Sequence, residues 1–204
     1  MNSPFKFQRI LFSVFLLLLS VKQTVFCQIQ KNQQYIQGGI ITLGNDTLKG
    51  VIEKKSEVDM QFRISFTVEA EKKSIYKPRQ IKGYYLIEKE DTIFFESFEY
   101  WKSCQFINKH FFVKKMSAGK ISLYLYKEEG FNFTAFGKTT YYYYFLKKDN
   151  NWIKSKPITA YNFKNKLKLY LKDCDPILLE INNPNLFIDD LPALFKNYNR
   201  LCLN

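Results

Sequence analysis

The chain is 204 residues long, 46% hydrophobic and 18% aromatic, with 25% charged residues, 8 Gly and 6 Pro. That composition excludes a disordered tail, a collagen-like fibre and a low-complexity scaffold, and the length suits a single domain. The formal charge of +12 rests on 27 Lys and only 4 Arg, and Arg is the residue suited to bidentate phosphate and base recognition, so nucleic acid is not an expected partner.

Lys6 and Arg9 open a segment whose centre, Ile10 to Leu19, is nearly unbroken apolar. Ten or so apolar residues are too few for a hydrocarbon layer that takes about 20, but they match the central region of a cleaved secretory signal. Val25-Phe26-Cys27 places cleavage before Gln28, so residues 1–27 are the predicted leader. Lipid modification of Cys27 is disfavoured by the bulky Phe26 before it. Loss of Lys6, Arg9 and Lys22 takes the charge from +12 to +9 (12 − 3) and leaves Cys104, Cys174 and Cys202. The expected location is therefore outside the cytoplasm: periplasm, cell surface or medium. No membrane-spanning helix is expected after cleavage.

The first expected hairpin runs from Gly39 to Ile52, around Gly44-Asn45-Asp46, residues that tolerate the positive φ of tight turns. From Asp59 to Glu69 apolar and polar residues alternate without error, which predicts one half-buried strand. Gly83–Ile87 and Thr92–Phe98 flank a polar turn, and Phe106–Met116 and Lys120–Tyr126 flank Ser117-Ala118-Gly119. Thr139–Leu146 is a further strand with aromatics on both faces. Regularly spaced turns of this kind indicate a mostly antiparallel sheet.

After Pro157 the period changes from 2 to 3.6. Phe163, Leu167, Tyr170 and Leu171 recur at helical spacing, Asp175-Pro176 reads as a cap followed by Pro in the first turn, and Asn182 to Asn185 is a break. Asp190 then starts a helix whose Leu191, Leu194, Phe195, Tyr198 and Cys202 share a face. The densest basic stretch, Lys164, Lys166, Lys168 and Lys172, covers more than one helical face and makes no narrow stripe.

These elements predict an α+β fold. Residues 28–204 form one domain, with an N-terminal antiparallel sheet or partly closed barrel (28–153) followed by a C-terminal segment of two or three helices (158–204). If the last two helices fold back on each other, Cys174 and Cys202 meet. The closed loop would hold 29 residues, which chain entropy converts to about 3.5 kcal/mol. The other reading is two buried thiols. Cys104 is left as a buried thiol.

His110 is the only histidine. Any Ser-His-Asp, Cys-His or common zinc site would have to use it, and its place in a strand beside Phe111 and Phe112 suits a hydrogen-bonded imidazole better. No CxxC, HExxH, GxSxG or P-loop pattern is present. No cofactor, metal or catalytic residue is assigned. Glu128-Glu129 reads as a solvated turn and Asp189-Asp190 as a helix start. The aromatic excess is the compositional anomaly. Tyr124, Tyr126, Tyr142 and Tyr144 are the candidate aromatic binding face, for sugars or partner side chains; core filling is the competing reading.

The hairpin Gly39 to Gly50, the strand pair Phe111 to Tyr126 and the ending with Cys174 and LPALFKNYNRLC together resemble an uncharacterised family of exported proteins from Gram-negative bacteria. Asp175 departs from that pattern, standing where Cys-Pro is expected directly. The resemblance implies export and an envelope setting; it brings no activity or functional residues. The expectation is an exported, non-enzymatic envelope or secreted protein that acts as a binding module, with an envelope protein or glycan as its partner. The alternatives are a carboxylate-based glycan hydrolase without a catalytic His and a structural component of an envelope complex.

Overall fold

A computed structural model describes residues 35–68, 72–102, 107–132, 134, 136–153 and 157–202. The predicted leader and Cys104 lie outside the described residues. Strands β1 (Tyr35–Thr42) and β2 (Thr47–Glu53) form the expected first hairpin. In its turn Asn45 takes φ 75°, and the Asp46 N–H donates to Thr42 Oγ1 at 3.1 Å.

The alternating stretch from Asp59 does not form one strand. Asp59 and Met60 belong to a short helix, α1 (Glu57–Met60), Gln61 and Phe62 to the turn after it, and only β3 (Ile64–Thr67) is extended. Ser56 accounts for the difference. Its hydroxyl accepts the Asp59 N–H at 3.1 Å and caps the helix, with Glu57 and Asp59 in the first turn where the dipole favours acids. The turn buries Met60 and Gln61 consecutively. Glu69 lies outside the described residues.

The sheet continues with β4 (Ser74–Tyr76), β5 (Ile81–Glu88), β6 (Asp91–Lys102), β7 (Ile107–Ser117), β8 (Ile121–Asn132), β9 (Gly137–Lys148) and β10 (Asn151–Trp152). Its spatial order is β10-β9-β8-β7-β6-β5-β1-β2-β3-β4, and the registered pairs are antiparallel. The ladder is open, with β10 and β4 as its edges. It is larger than expected, and no strand pairing closes it into a barrel.

The cross-strand register defines its two faces. Tyr84 pairs with Phe95, Phe95 with Lys114, Lys114 with Leu125 and Leu125 with Tyr144, so these share face one. Phe98 pairs with Phe111, and Tyr124 with Phe145, on face two. Both faces are filled. On face one, Ile40, Ile52, Ile64, Phe66, Tyr84, Phe95 and Phe112 form a core, with Tyr84 stacked on Phe95 at 4.4 Å. On face two, Phe98 of β6 lies 4.6 Å from Phe145 of β9 and 4.4 Å from Trp152 of β10, ring centre to ring centre. Three strand spacings on a flat sheet would separate β6 from β9 by about 14 Å. The sheet is therefore curled hard around face two, and its own aromatics fill the concavity.

Helices α2 (Phe163–Tyr170), α3 (Asp175–Asn182) and α4 (Leu191–Leu201) cover the other side of the same region. Their Leu167, Ile177, Ile181, Leu194, Phe195 and Tyr198 pack with Ile121, Leu123, Leu125, Tyr144 and Leu146 of face one. Each large side chain buried this way contributes about 1.5–3 kcal/mol relative to exposure. The helical stripes predicted from sequence are the buried ones. A 3₁₀ turn, Ile188–Asp190, leads into α4, and the Asp190 carboxylate accepts the Phe187 N–H at 2.8 Å. No helix among the described residues is long and apolar enough to cross a membrane.

Candidate functional site

Strand β8 is where the molecule's parts meet. On its β9 side it is paired without interruption from Ile121 to Asn132. On its β7 side only three pairs form: Lys114–Leu125, Lys115–Tyr124 and, after a bulge, Ser117–Leu123. Two side-chain amides take over beyond them. At one end, Asn199 of α4 accepts the Ile121 N–H at 3.1 Å and donates to the Ile121 carbonyl at 2.9 Å. At the other, Gln61 accepts the Lys127 N–H at 2.7 Å and donates to the Lys127 carbonyl at 2.8 Å. Each amide presents the donor and acceptor of a peptide unit, so each substitutes for a neighbouring strand.

Gln61 does more than cap an edge. Its main-chain carbonyl accepts the Phe112 N–H of β7 at 2.7 Å. Continuing the β7–β8 register past Lys114–Leu125 would pair Phe112 with Lys127. Gln61 stands between those two residues, hydrogen-bonded to both, and holds the strands one residue apart. Met60 joins the face-one core, and Phe62 meets Tyr126 of face two edge-on at 6.4 Å. Beyond this wedge β7 and β8 form a fork. Lys127 and Lys114 both pair with Glu57 beside it, at 2.5 and 3.7 Å.

Past the fork β8 and β9 continue as a two-stranded ribbon from Lys127–Tyr142 to Asn132–Gly137. Phe131, Tyr141 and Tyr142 are exposed here, and Phe136, at 85% exposure, holds φ 46°. A bulky side chain in the left-handed region costs about 1–3 kcal/mol. The Tyr141 ring lies over Gly130, where an added Cβ would come within 2.8 Å of it. The segment Gly130 to Gly137 carries no charged residue. With its uncharged tip and exposed aromatics, this ribbon is the part of the fold that packing does not explain.

No family model, curated protein or solved structure matches this chain.

The four tyrosines singled out from sequence do not share a face. Residues 124 and 126 pair with 145 and 143, so even positions on β8 face the same way as odd positions on β9. Tyr124 and Tyr126 are buried on face two, Tyr144 is buried on face one under the helices, and Tyr142 alone is exposed. The Tyr144 main chain also bridges Ile158, at 2.8 and 2.9 Å.

At the edge of the face-two aromatics lies a charged cluster that the sequence did not mark. Glu96 accepts from Tyr124 Oη at 2.5 Å and from Lys147 Nζ at 2.6 Å, with Lys115 Nζ at 3.5 Å. Burial alone would raise the Glu96 carboxyl; the bonds from Lys147 and Tyr124 outweigh it and hold the group below its ordinary range. Burial, reinforced by Glu96, pushes the Tyr124 phenol far up. Tyr126 is pushed up to about 12 by burial and the nearby Glu128. Lys147 also sits 5.3 Å from the Trp152 ring centre. Every charge in the cluster is compensated, which makes it a support for the aromatic layer.

His110 Nε2 lies 3.3 Å from Glu99 Oε1, across the β6–β7 pairing. Among the described residues no three His, Cys, Asp or Glu side chains cluster in a way that could hold a metal ion. Cys174 and Cys202 lie within disulfide reach, Cα atoms 5.9 Å apart, at the start of α3 and the end of α4. Beside them Tyr198 Oη donates to both Asp173 oxygens at 3.1 Å, and Lys120 bridges Asp173 and the Cys202 carbonyl.

Proposed function

We propose that the protein is an exported, non-enzymatic interaction module that engages its partner through the β8–β9 ribbon. One observation carries this reading. Many strand aromatics are buried in the filled cores, yet Phe131 and Tyr142 on face one, Tyr141 on face two and Phe136 in the turn are exposed beyond the last β7–β8 pair. A ribbon of two strands is marginal in water without a covering layer, and aromatic side chains are the ones interfaces favour. The leader-like N-terminus, the cysteine pair within disulfide reach and the resemblance to exported proteins support an envelope or extracellular setting.

A carboxylate-based hydrolase draws less support. Such chemistry needs one carboxyl held protonated near neutral pH. Lysine partners hold Glu53, Glu96 and Asp173 the other way, below their ordinary ranges. The test compares the wild type with Phe131→Ser/Phe136→Ser/Tyr142→Ser as bait for envelope extract, with free glycans as competitors. Loss of the captured partner in a variant with unchanged circular dichroism supports the reading. Equal capture by both baits refutes it.

A further inference from the structure

The fork has a chemistry of its own. In an antiparallel strand the N–H and C=O of one residue point to the same side, and the side alternates along the chain. Lys127 offers both groups to Gln61, away from β9, so Glu129 offers both groups in the same direction, into the fork. On β7 the Phe112 N–H reaches Gln61, so His110, two residues earlier in an unbroken register with β6, also points into the fork. Among the described residues, nothing pairs with the main chain of His110 or Glu129 on that side. Across face two the Phe111 and Tyr126 rings stack at 4.1 Å beside the wedge, and beyond them the exposed Lys109–Glu128 pair spans the gap at 4.0 Å.

We propose that the β8 edge at Glu129 is a strand-addition site for an extended, basic peptide segment, laid in line with the Gln61 amide. This rests on the reading of the protein as an interaction module and names the partner's chemistry. Unpaired donors and acceptors on a strand edge are matched by the backbone of another extended chain, and Gln61 already fills the first such position. Charge selects the segment. In a chain of net charge +12 the fork carries Glu99 and Glu129 on face one and Glu128 on face two. Against them stand Lys109, already opposite Glu128, His110 beside Glu99, Lys114 and Lys127, both engaged by Glu57, and Lys138 of β9, diagonal to Glu129 on face one. The peptide residue opposite Glu129 shares its face, and an opposite charge there is favourable.

The register makes the test specific. In a peptide of alternating valine and lysine, VKVKVKVKV, the lysine opposite Glu129 turns its own N–H and C=O toward β8. N-methylation of the lysine amides, which face β8, should weaken binding at least tenfold in fluorescence anisotropy, and N-methylation of the valine amides, which face β7, should weaken it less. The peptide VEVEVEVEV should bind at least tenfold more weakly than its lysine counterpart. Peptide binding should slow hydrogen exchange at the Glu129 amide. Glu129→Pro removes that N–H without touching the β8–β9 ladder and should abolish binding; Glu129→Lys, which keeps the strand, should reverse the preference between the two peptides. Failure of VKVKVKVKV to bind, equal effects of the two methylation frames, or an unchanged preference in Glu129→Lys overturns the proposal. Partner capture that still depends on the ribbon aromatics would then leave the interaction reading standing alone.

Discussion

Replacing Gln61 with methionine tests whether an amide can stand in for a strand. Gln61 is 2% exposed, and its side chain makes two hydrogen bonds, at 2.7 and 2.8 Å, to the Lys127 main chain. Methionine keeps the length and the methylenes, and the Gln61 carbonyl can still accept from Phe112, so packing changes little. What is lost is the partner for one N–H and one C=O. Each such group left without a partner when buried costs about 1–3 kcal/mol. Lys127 is half-buried, so water reaches part of the site and the expected sum is about 2–4 kcal/mol. At about 2–4 °C per kcal/mol for a chain of this size, Tm should fall by about 4–16 °C. Urea unfolding measures the free energy, and hydrogen exchange should show the Lys127 amide losing protection before the global transition. Gln80→Met is the control: that side chain accepts the Lys77 N–H at 2.7 Å in an exposed turn and should cost about 0.5 kcal/mol or less. If the two variants are equally stable, the wedge does not hold the fork.

Four further outcomes follow from named contacts. Non-reducing mass spectrometry should find Cys174 linked to Cys202, and the double serine variant should lose about 3.5 kcal/mol in urea unfolding; thiol titration of both cysteines in air-oxidised protein would contradict this. Gly119→Ala should destabilise by about 2 kcal/mol or more, because φ is 151° and the new Cβ would meet the Asn199 side chain that holds α4 to β8; an unchanged melting curve would mean that this docking is dispensable. Tyr126 and Tyr198 are pushed up to about 12, the first by burial and Glu128, the second by burial and its bond to Asp173. The unfolded chain ionises its tyrosines first, near 10, so stability should fall as pH rises from 10 toward 12, and the ultraviolet titration should show a late phenolate phase that Tyr198→Phe diminishes. Glu96 is shifted the other way. Its contribution is present above the unfolded carboxyl value and disappears as pH falls through the lower folded one, so Glu96→Gln should flatten the acid limb of stability below about pH 4.5.

The architecture was legible where one physical rule dominated. Alternation located the core strands from Gly83 to Leu146, and 3.6-residue periodicity found α2, α3 and α4 with the side chains they bury. Helix ends that meet brought Cys174 and Cys202 together. Reading failed where a local rule was overridden. The perfect alternation from Asp59 concealed a capped turn, because Ser56 and Asp59 supply a hydrogen bond that hydropathy does not register. The tyrosine face dissolved because residue parity is conserved within a strand but not across a pair, and only the register decides it. Gln61 and Asn199 carried a faint signal, as amides beside apolar neighbours at positions the patterns treated as outward-facing. That they pair with β8 depends on sheet curvature, which single-strand patterns do not encode.

The fork is not the consequence of strands that end too soon. β7 reaches back to Ile107 and β8 runs on to Asn132, so the register that pairs Lys114 with Leu125 could continue through Phe112–Lys127 to His110–Glu129. Continuing it would cover both edges, the ordinary protection against unwanted pairing. The chain instead commits a capped turn and a buried glutamine to holding the strands apart, and presents exposed aromatics on the ribbon so released. A stability optimum would remove Gln61 and close the seam. Keeping it open places an unpaired edge and an exposed aromatic surface next to each other, which is the arrangement a second chain would use. It is accordingly at the seam that stability and binding should pull in opposite directions. A variant that closes the fork should melt higher and lose the strand peptide, whereas one that merely removes the amide should melt lower and leave the Glu129 edge in place.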